Sequence, residues 1–169
     1  VIHEWGKPSA VIRKKTSRIS IPPEGKTFSY HVKGAKPKLW TIRDPHLYTA
    51  SVEFKSDDGA LADADAKRFG FRWFDIGEKN GDKRFYLNGR RVFLFCAMTR
   101  GYWPTNGIFP TPEMTAREME AMRLFGYNVM LFHRAIGPSE IIAACEESGF
   151  LTYEEPSGYR CMPAPDEKT

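Results

Sequence analysis

The pattern of apolar and polar residues changes near residue 80. Before that point the two kinds alternate over short segments, which is typical of strands that bury one face. Clusters of Pro, Gly and Asp separate the segments at the spacing expected of an antiparallel sandwich. The sequence predicts strands at residues 9–12, 18–21, 27–32, 48–54 and 67–76.

Beyond residue 80 the pattern predicts the order β-α-β-α-β. Asn88-Gly89 predicts a tight hairpin turn, because both residues adopt the positive φ values of a type I′ turn. Three continuous apolar runs follow, at residues 92–98, 127–132 and 150–153. Such runs are typical of parallel strands that are covered on both faces and joined by right-handed helical crossovers.

Two helices are predicted between these strands. Thr111-Pro112-Glu113 has the residue types of an N-cap and a first turn, and Gly126 predicts the end of that helix. The second helix is predicted over residues 138–148, with Gly149 at its end. The residues expected to face inward are Met114, Met119, Met122 and Phe125 in the first helix, and Ile141, Ile142, Ala144 and Cys145 in the second.

Polar side chains stand where the three parallel strands end. Arg100, His133 and Glu155 follow successive strands, and the carboxyl ends of parallel strands share one edge, where α/β proteins bind ligands. Tyr102 and Trp103 offer flat apolar faces on which sugar rings pack. Taken singly, each polar residue also fits a structural role. Together they predict a binding site.

Composition excludes some other classes of function. Lys and Arg number 25 against 21 Asp and Glu, but they are scattered, so no nucleic-acid partner is expected. No run of 18 apolar residues exists to cross a membrane. The three cysteines lack C-x-x-C spacing, and Cys96 and Cys145 are expected to be buried thiols. No metal-ligand spacing or phosphate-binding loop is found, so no cofactor and no metal are expected, and the cellular compartment is not identified.

Several segments resemble glycoside hydrolase family 2. WTIRDPHLY at residues 40–48, FGFR at 69–72 and FYLNGR at 85–90 occur in the order and spacing of that family. FGYN at 125–128, the following His133 and ESGFL at 147–151 continue the series. The resemblance covers roughly residues 38–160, and an ordered series is far more specific than any single motif.

This resemblance implies an immunoglobulin-like β-sandwich at residues 1–79, expected to be incomplete at its N-terminus. The first strands and helices of a (β/α)8 barrel follow at residues 80–169. Family members, among them β-galactosidases, β-glucuronidases and β-mannosidases, retain anomeric configuration with two carboxylates about 5 Å apart. The resemblance places both catalytic glutamates on later strands, so this chain alone is expected to be inactive. It implies that His133, Arg100 and Glu155 are substrate-binding residues.

Two alternatives remain at this point. The chain could be a non-catalytic carbohydrate-binding or interaction module, or a small hydrolase that uses Glu154 or Glu155. The expected partner is a carbohydrate in each case, with sugar and linkage unidentified. Self-association through the edge of the incomplete barrel is also expected, because an unpaired strand edge and uncovered helices favour association.

Overall fold

A computed structural model describes residues 1–31, 33, 36–99, 107 and 110–156. It divides the chain into two compact units. The first contains residues 1–39 and 46–71, and the second contains residues 40–45 and 72–169.

The described part of the first unit forms a four-stranded antiparallel sheet. Its strands are β1 (Ile2–Glu4), β2 (Lys7–Arg13), β3 (Tyr48–Lys55) and β4 (Leu61–Phe69), in the order β2-β1-β3-β4. The turn between β3 and β4 runs from Ser56 to Gly59, in one of the clusters of Gly and Asp that separate the predicted strands. Gly59 adopts a φ of 86°, which a residue without a Cβ accepts at low cost.

Aromatic packing holds one end of this sheet. The buried ring of Tyr48 contacts the rings of Phe69 and Phe71 at centroid distances of 6.0 and 5.1 Å. The Tyr48 hydroxyl accepts a hydrogen bond of 2.8 Å from the backbone N–H of Lys38. The core of the first unit therefore lies near the start of β3, where β3 meets the end of β4.

Three strand predictions in this half were wrong. Residues 18–21 and the described residues of 27–32 form no strand. Alternation alone does not make a strand without a neighbour to pair with, and Pro22-Pro23 between the two segments lacks backbone donors. The predicted strand at 67–76 is interrupted at residues 70–73, because β4 pairs with β3 whereas β5 pairs with β6.

After residues 40–45, the second unit continues with a three-stranded antiparallel sheet made of two successive hairpins. Its strands are β5 (Phe74–Lys79), β6 (Asp82–Leu87) and β7 (Arg90–Arg91). Asn88 and Gly89 adopt φ values of 52° and 74°, and Leu87 pairs with Arg90. The predicted type I′ turn is thereby confirmed.

A three-stranded parallel sheet follows, in the order β10-β9-β8. It comprises β8 (Cys96–Thr99), β9 (Val129–Phe132) and β10 (Leu151–Glu154). Helix α1 (Pro112–Leu124) lies between β8 and β9 in the chain, and α2 (Ser139–Ser148) lies between β9 and β10. The predicted β-α-β-α-β order and parallel direction are confirmed.

The helix ends also form as predicted. The Thr111 side chain accepts a 3.2 Å hydrogen bond from the Met114 N–H, and Gly149 adopts the left-handed conformation at the end of α2. One apolar core joins the helices to one face of the sheet. Its buried members are Met119, Met122, Met130, Phe132, Ile141, Cys145 and Phe150, with Met114, Ile142 and Ala144 partly buried beside them.

Two predictions of burial in this half were wrong. Phe125 lies beyond the last turn of α1, where it is 73% exposed. Residues 92–95 are not part of β8, and Phe93, Phe95 and Cys96 are exposed. The Asn128 side chain donates to Phe93 O at 2.7 Å and accepts from Phe95 N–H at 2.8 Å. These backbone groups therefore bond to a side chain instead of a neighbouring strand.

Candidate functional site

The carboxyl ends of the three parallel strands lie at one edge. Thr99 pairs with Phe132, and Phe132 pairs with Glu154. His133 and Glu155 are the next residues after β9 and β10, so both stand at this edge. The other predicted site residues, Arg100, Tyr102 and Trp103, lie outside the described residues.

His133 and Glu155 contact each other. The imidazole Nδ1 lies 3.3 Å from Glu155 Oε2 and 3.5 Å from Oε1. The two side chains are 25% and 32% exposed, respectively. The pair is therefore shielded from bulk solvent on several sides yet still accessible, as a residue that meets a ligand must be.

The backbone around this pair is held at three points. The His133 N–H donates to Thr99 O at 2.8 Å, and the Glu155 N–H donates to Ala135 O at 3.2 Å. The Arg134 N–H donates to Glu155 Oε2 at 2.9 Å. These bonds connect the loop after β9 both to the end of β8 and to the end of β10.

The electrostatics of the site favour an ionised Glu155. The hydrogen bond from the Arg134 N–H comes first, and with the hydrogen bond from His133 and the charge of Arg134 it holds the pKa of this carboxyl below its usual value. At neutral pH the site therefore presents a carboxylate beside the His133 ring. Such a pair can orient a polar ligand and accept or donate hydrogen bonds.

The backbone conformation of Arg134 was not predicted from the sequence. It adopts a φ of 59°, in the left-handed region that only a small fraction of non-glycine residues occupy. No Gly or Asn at this position signals the turn. The conformation follows from hydrogen bonds between distant segments, which sequence periodicity does not reveal.

Trp40, Arg72 and Asn88, from three of the motifs that carry the resemblance, form a connected cluster with Glu146 of α2 in the second unit. The Trp40 indole N–H donates to Glu146 O at 2.7 Å, and the Asn88 side chain donates to Trp40 O at 2.8 Å. The Arg72 guanidinium lies 4.3 Å from the centroid of the Trp40 ring and contacts the Glu146 carboxylate at 3.0 Å. These motif residues hold the segment at residues 40–45 and the hairpin turn against α2, so their role in the structure is architectural.

A cavity of about 500 Å³ opens at the opposite edge of the sheet. Cys96, Val129 and Leu151, the first residues of the parallel strands, line it together with Phe74 and Phe85 of the hairpin. It is mainly apolar and lies at the amino ends of the strands. It is thus distinct from the edge that carries His133 and Glu155.

Among the described residues, no group of three or more His, Cys, Asp or Glu side chains is arranged to hold a metal ion. Within the same part of the chain, no helix has the length and apolar character needed to cross a membrane.

Comparison with known proteins relates this fold to glycosidases. The model of the glycosyl hydrolases family 2 matches residues 1–72. A candidate β-glucuronidase from Formosa agariphila is 34% identical over 131 residues, which make up 76% of this chain and 15% of that protein. A β-galactosidase from Pectobacterium atrosepticum is 30% identical over 95 residues, which make up 56% of this chain and 9% of that protein.

Solved structures agree with these matches. The crystal structure of Parabacteroides merdae β-glucuronidase superposes with a TM-score of 0.76 and 25% identity, covering 93% of this chain and 19% of that one. The shared fold and sequence are those of glycoside hydrolases. In sequence and fold the chain is similar to glycoside hydrolase family 2, as its motifs indicated. It spans only 9% to 15% of the length of the two curated relatives above.

Proposed function

We propose that this chain is a segment of a retaining β-glycosidase and contributes one wall of the sugar site. The observation that carries the proposal is the His133–Glu155 pair at the carboxyl edge of a parallel sheet, in a chain related to family 2. Ligands of (β/α)8 enzymes bind at this edge. The substrate is an O-glycoside. Its sugar is not identified, because one relative is named for glucuronides and another for galactosides.

The proposed architecture is an immunoglobulin-like sandwich at residues 1–79 and the first three strands of a (β/α)8 barrel at residues 80–169. The family match over residues 1–72 supports the first assignment, because it ends one residue beyond the first compact unit. The alternation of parallel strands and helices supports the second.

The face of the parallel sheet that α1 and α2 leave exposed among the described residues also supports a barrel. Met130 and Phe132 face the helices and are buried, whereas Met98 and Tyr153 lie on the other face and are 64% and 57% exposed. Met98, Leu131 and Tyr153 form one row across the three strands. In a closed barrel this row faces the interior, where apolar side chains from the remaining strands pack.

The roles proposed for individual residues follow from this placement. His133 contacts a sugar hydroxyl, Arg100 and Glu155 belong to the polar wall, and Tyr102 and Trp103 pack against the sugar ring. The two catalytic glutamates, an acid/base and a nucleophile, belong to barrel strands outside residues 1–169. The chain alone therefore supplies binding groups without the catalytic pair.

The test compares the 169-residue chain with the full-length product of its gene. Nitrophenyl β-glucuronide, β-galactoside and β-mannoside serve as substrates. The full-length protein should hydrolyse at least one of them and the chain alone none. Hydrolysis by the chain that disappears in Glu155→Gln would overturn the proposal, as would a full-length protein that binds glycans without cleaving any of the three.

His133→Ala tests the role of the site in the full-length protein. Loss of a substrate contact should lower kcat/KM by roughly 10- to 1,000-fold, about 1.4 to 4 kcal/mol, with little change in melting temperature. His31→Ala is the matched control, because His31 is exposed in the first unit. A lower melting temperature with unchanged kcat/KM would assign His133 a structural role.

A further inference from the structure

The loop after β9 is fixed residue by residue. His133 is held by Thr99 through its backbone N–H, Arg134 by the Glu155 carboxylate, and Ala135 by the Glu155 N–H. Hydrogen bonds to both flanking strands restrict the conformation of a turn more strongly than a single hydrogen bond would. Glu155 makes two of the three bonds, one with its side chain and one with its backbone.

Arg134 shows what the Glu155 side chain does in this turn. A non-glycine residue keeps a φ of 59° only when the surrounding structure over-determines it. The bond from the Arg134 N–H to Glu155 Oε2 is made at that residue. The direction in which the loop leaves β9, and therefore the placement of the His133 ring, depends on this carboxylate.

The same carboxylate sets the proton position on His133. An ionised carboxylate only accepts hydrogen bonds, so the ring nitrogen that faces it must carry a proton. That nitrogen is Nδ1, at 3.3 Å from Oε2. In the neutral imidazole, Nε2 is then left with its lone pair and acts as an acceptor.

We propose that Glu155 is a positioning residue, which fixes the Arg134 turn and holds His133 as the Nδ1–H tautomer so that Nε2 accepts a hydrogen bond from a sugar hydroxyl. This inference rests on the proposed function and deepens it. The sequence suggested that Glu155 contacts the substrate directly. In the structure, Oε2 already accepts from Arg134 N–H, and both oxygens face the His133 ring.

The first test follows the tautomer in the 169-residue chain by NMR with ¹⁵N-labelled histidine. The His133 signals are assigned by their loss in His133→Ala. At a pH where the ring is neutral, the wild-type ring should show a protonated Nδ1 and an unprotonated Nε2. In Glu155→Gln the amide oxygen can still accept from Arg134 N–H while its NH₂ group donates to Nδ1, so the proton should move to Nε2. The same tautomer in both proteins would overturn the proposal.

Glu147→Gln is the matched control for this measurement, because Glu147 is an exposed acid on α2. It should leave the His133 signals unchanged. A tautomer change in the control equal to that in Glu155→Gln would also count against the proposal. This NMR test does not depend on catalysis, so its outcome is separate from that of the proposed function.

The second test measures kinetics in the full-length protein with a double-mutant cycle. Glu155→Ala should lower kcat/KM by roughly 10- to 100-fold, the range expected when a charge-assisted hydrogen bond is lost. In a His133→Ala background it should have little further effect, because Glu155 acts through His133. Glu155→Gln should recover part of the loss through its bond to Arg134 N–H.

Additive losses of kcat/KM in the two single variants would overturn the positioning role and would indicate that Glu155 contacts the substrate directly. If the tautomer shifts as expected but neither His133→Ala nor Glu155→Ala alters kcat/KM, the proposed sugar contact fails while the positioning of His133 by Glu155 stands. The two hypotheses are therefore distinguishable.

Discussion

Gly149 lies against the backbone carbonyl of Ile42, so close that a Cβ atom added to Gly149 would overlap the Ile42 oxygen. Gly149 also ends α2 in the left-handed conformation, with a φ of 82°. Two separate constraints thus exclude a side chain. One is the backbone conformation, and the other is the approach of the segment at residues 40–45, whose Trp40 indole is bonded to Glu146 O.

Gly149→Ala and Gly126→Ala separate these two constraints. Both glycines follow a helix with positive φ, but a Cβ on Gly126 would meet nothing within 4 Å. We expect Gly126→Ala to cost about 1–2 kcal/mol for the left-handed conformation. Gly149→Ala should cost about 1–3 kcal/mol more, because backbone must shift. Urea denaturation followed by circular dichroism measures both, and equal losses would contradict the close approach.

Much of the second unit could be predicted from the sequence because its signals are local. Thr111-Pro112 and Gly149 mark helix ends, and continuous apolar runs mark parallel strands. The position of His133 and Glu155 at one edge follows from that topology alone. The contact between their side chains needs the loop geometry, which the left-handed Arg134 determines without any signal in its residue type.

The failures have a common physical cause, which is pairing between distant segments. Residues 18–21 have the alternation of a strand but form none in the described structure, since strand formation depends on a partner. Phe93 and Phe95 look like core residues, yet the Asn128 side chain bonds the backbone at both positions. Neither outcome is encoded in the periodicity of the segment itself.

The exposed row on the parallel sheet predicts self-association of the 169-residue chain. Met98 and Tyr153 place apolar surface in water on a face that neither α1 nor α2 covers. The mean mass measured by sedimentation equilibrium should rise with concentration, and Met98→Glu should reduce this rise. Leu61→Glu is the control, because Leu61 is 61% exposed in β4. A monomer at all concentrations, or an equal effect of the control, would contradict this prediction.

Cys145 and Cys96 should differ sharply in reactivity. Cys145 is fully buried, and this burial, aided by the charges of Glu118 and Glu146, raises the pKa of its thiol to about 12. Its reactive thiolate is therefore almost absent at neutral pH. Cys96 is exposed. In a Cys161→Ser background, iodoacetamide should label Cys96 in the native chain and Cys145 only after unfolding, as mapped by peptide mass.

The control for this labelling is Cys96→Ser in the same background, which should abolish native labelling. Modification of Cys145 at the rate of Cys96 would show that the core between the helices and the parallel sheet opens readily. In that case the packing of Cys145 between Met119 and Met130, each with its sulfur 4.0 Å from the thiol, would not describe the chain in solution.

The Glu155 carboxylate should make stability depend on pH in the acid range. Its pKa in the folded chain is lowered, first by the Arg134 N–H and then by His133 and the Arg134 charge, so folding favours the ionised form. This contribution is fully present above the unfolded pKa and is lost as the pH falls through the lower, folded pKa.

Glu155→Gln keeps an acceptor for Arg134 but does not titrate. The variant should therefore melt below wild type at neutral pH, and the gap should close as the pH falls below 4.5, the ordinary value for this group. Thermal melts of both proteins across the acid range measure the gap. A gap that stays constant down to the acid limit would mean that the carboxylate does not bond to the Arg134 turn in solution, and the assignment of Glu155 as its anchor would be lost.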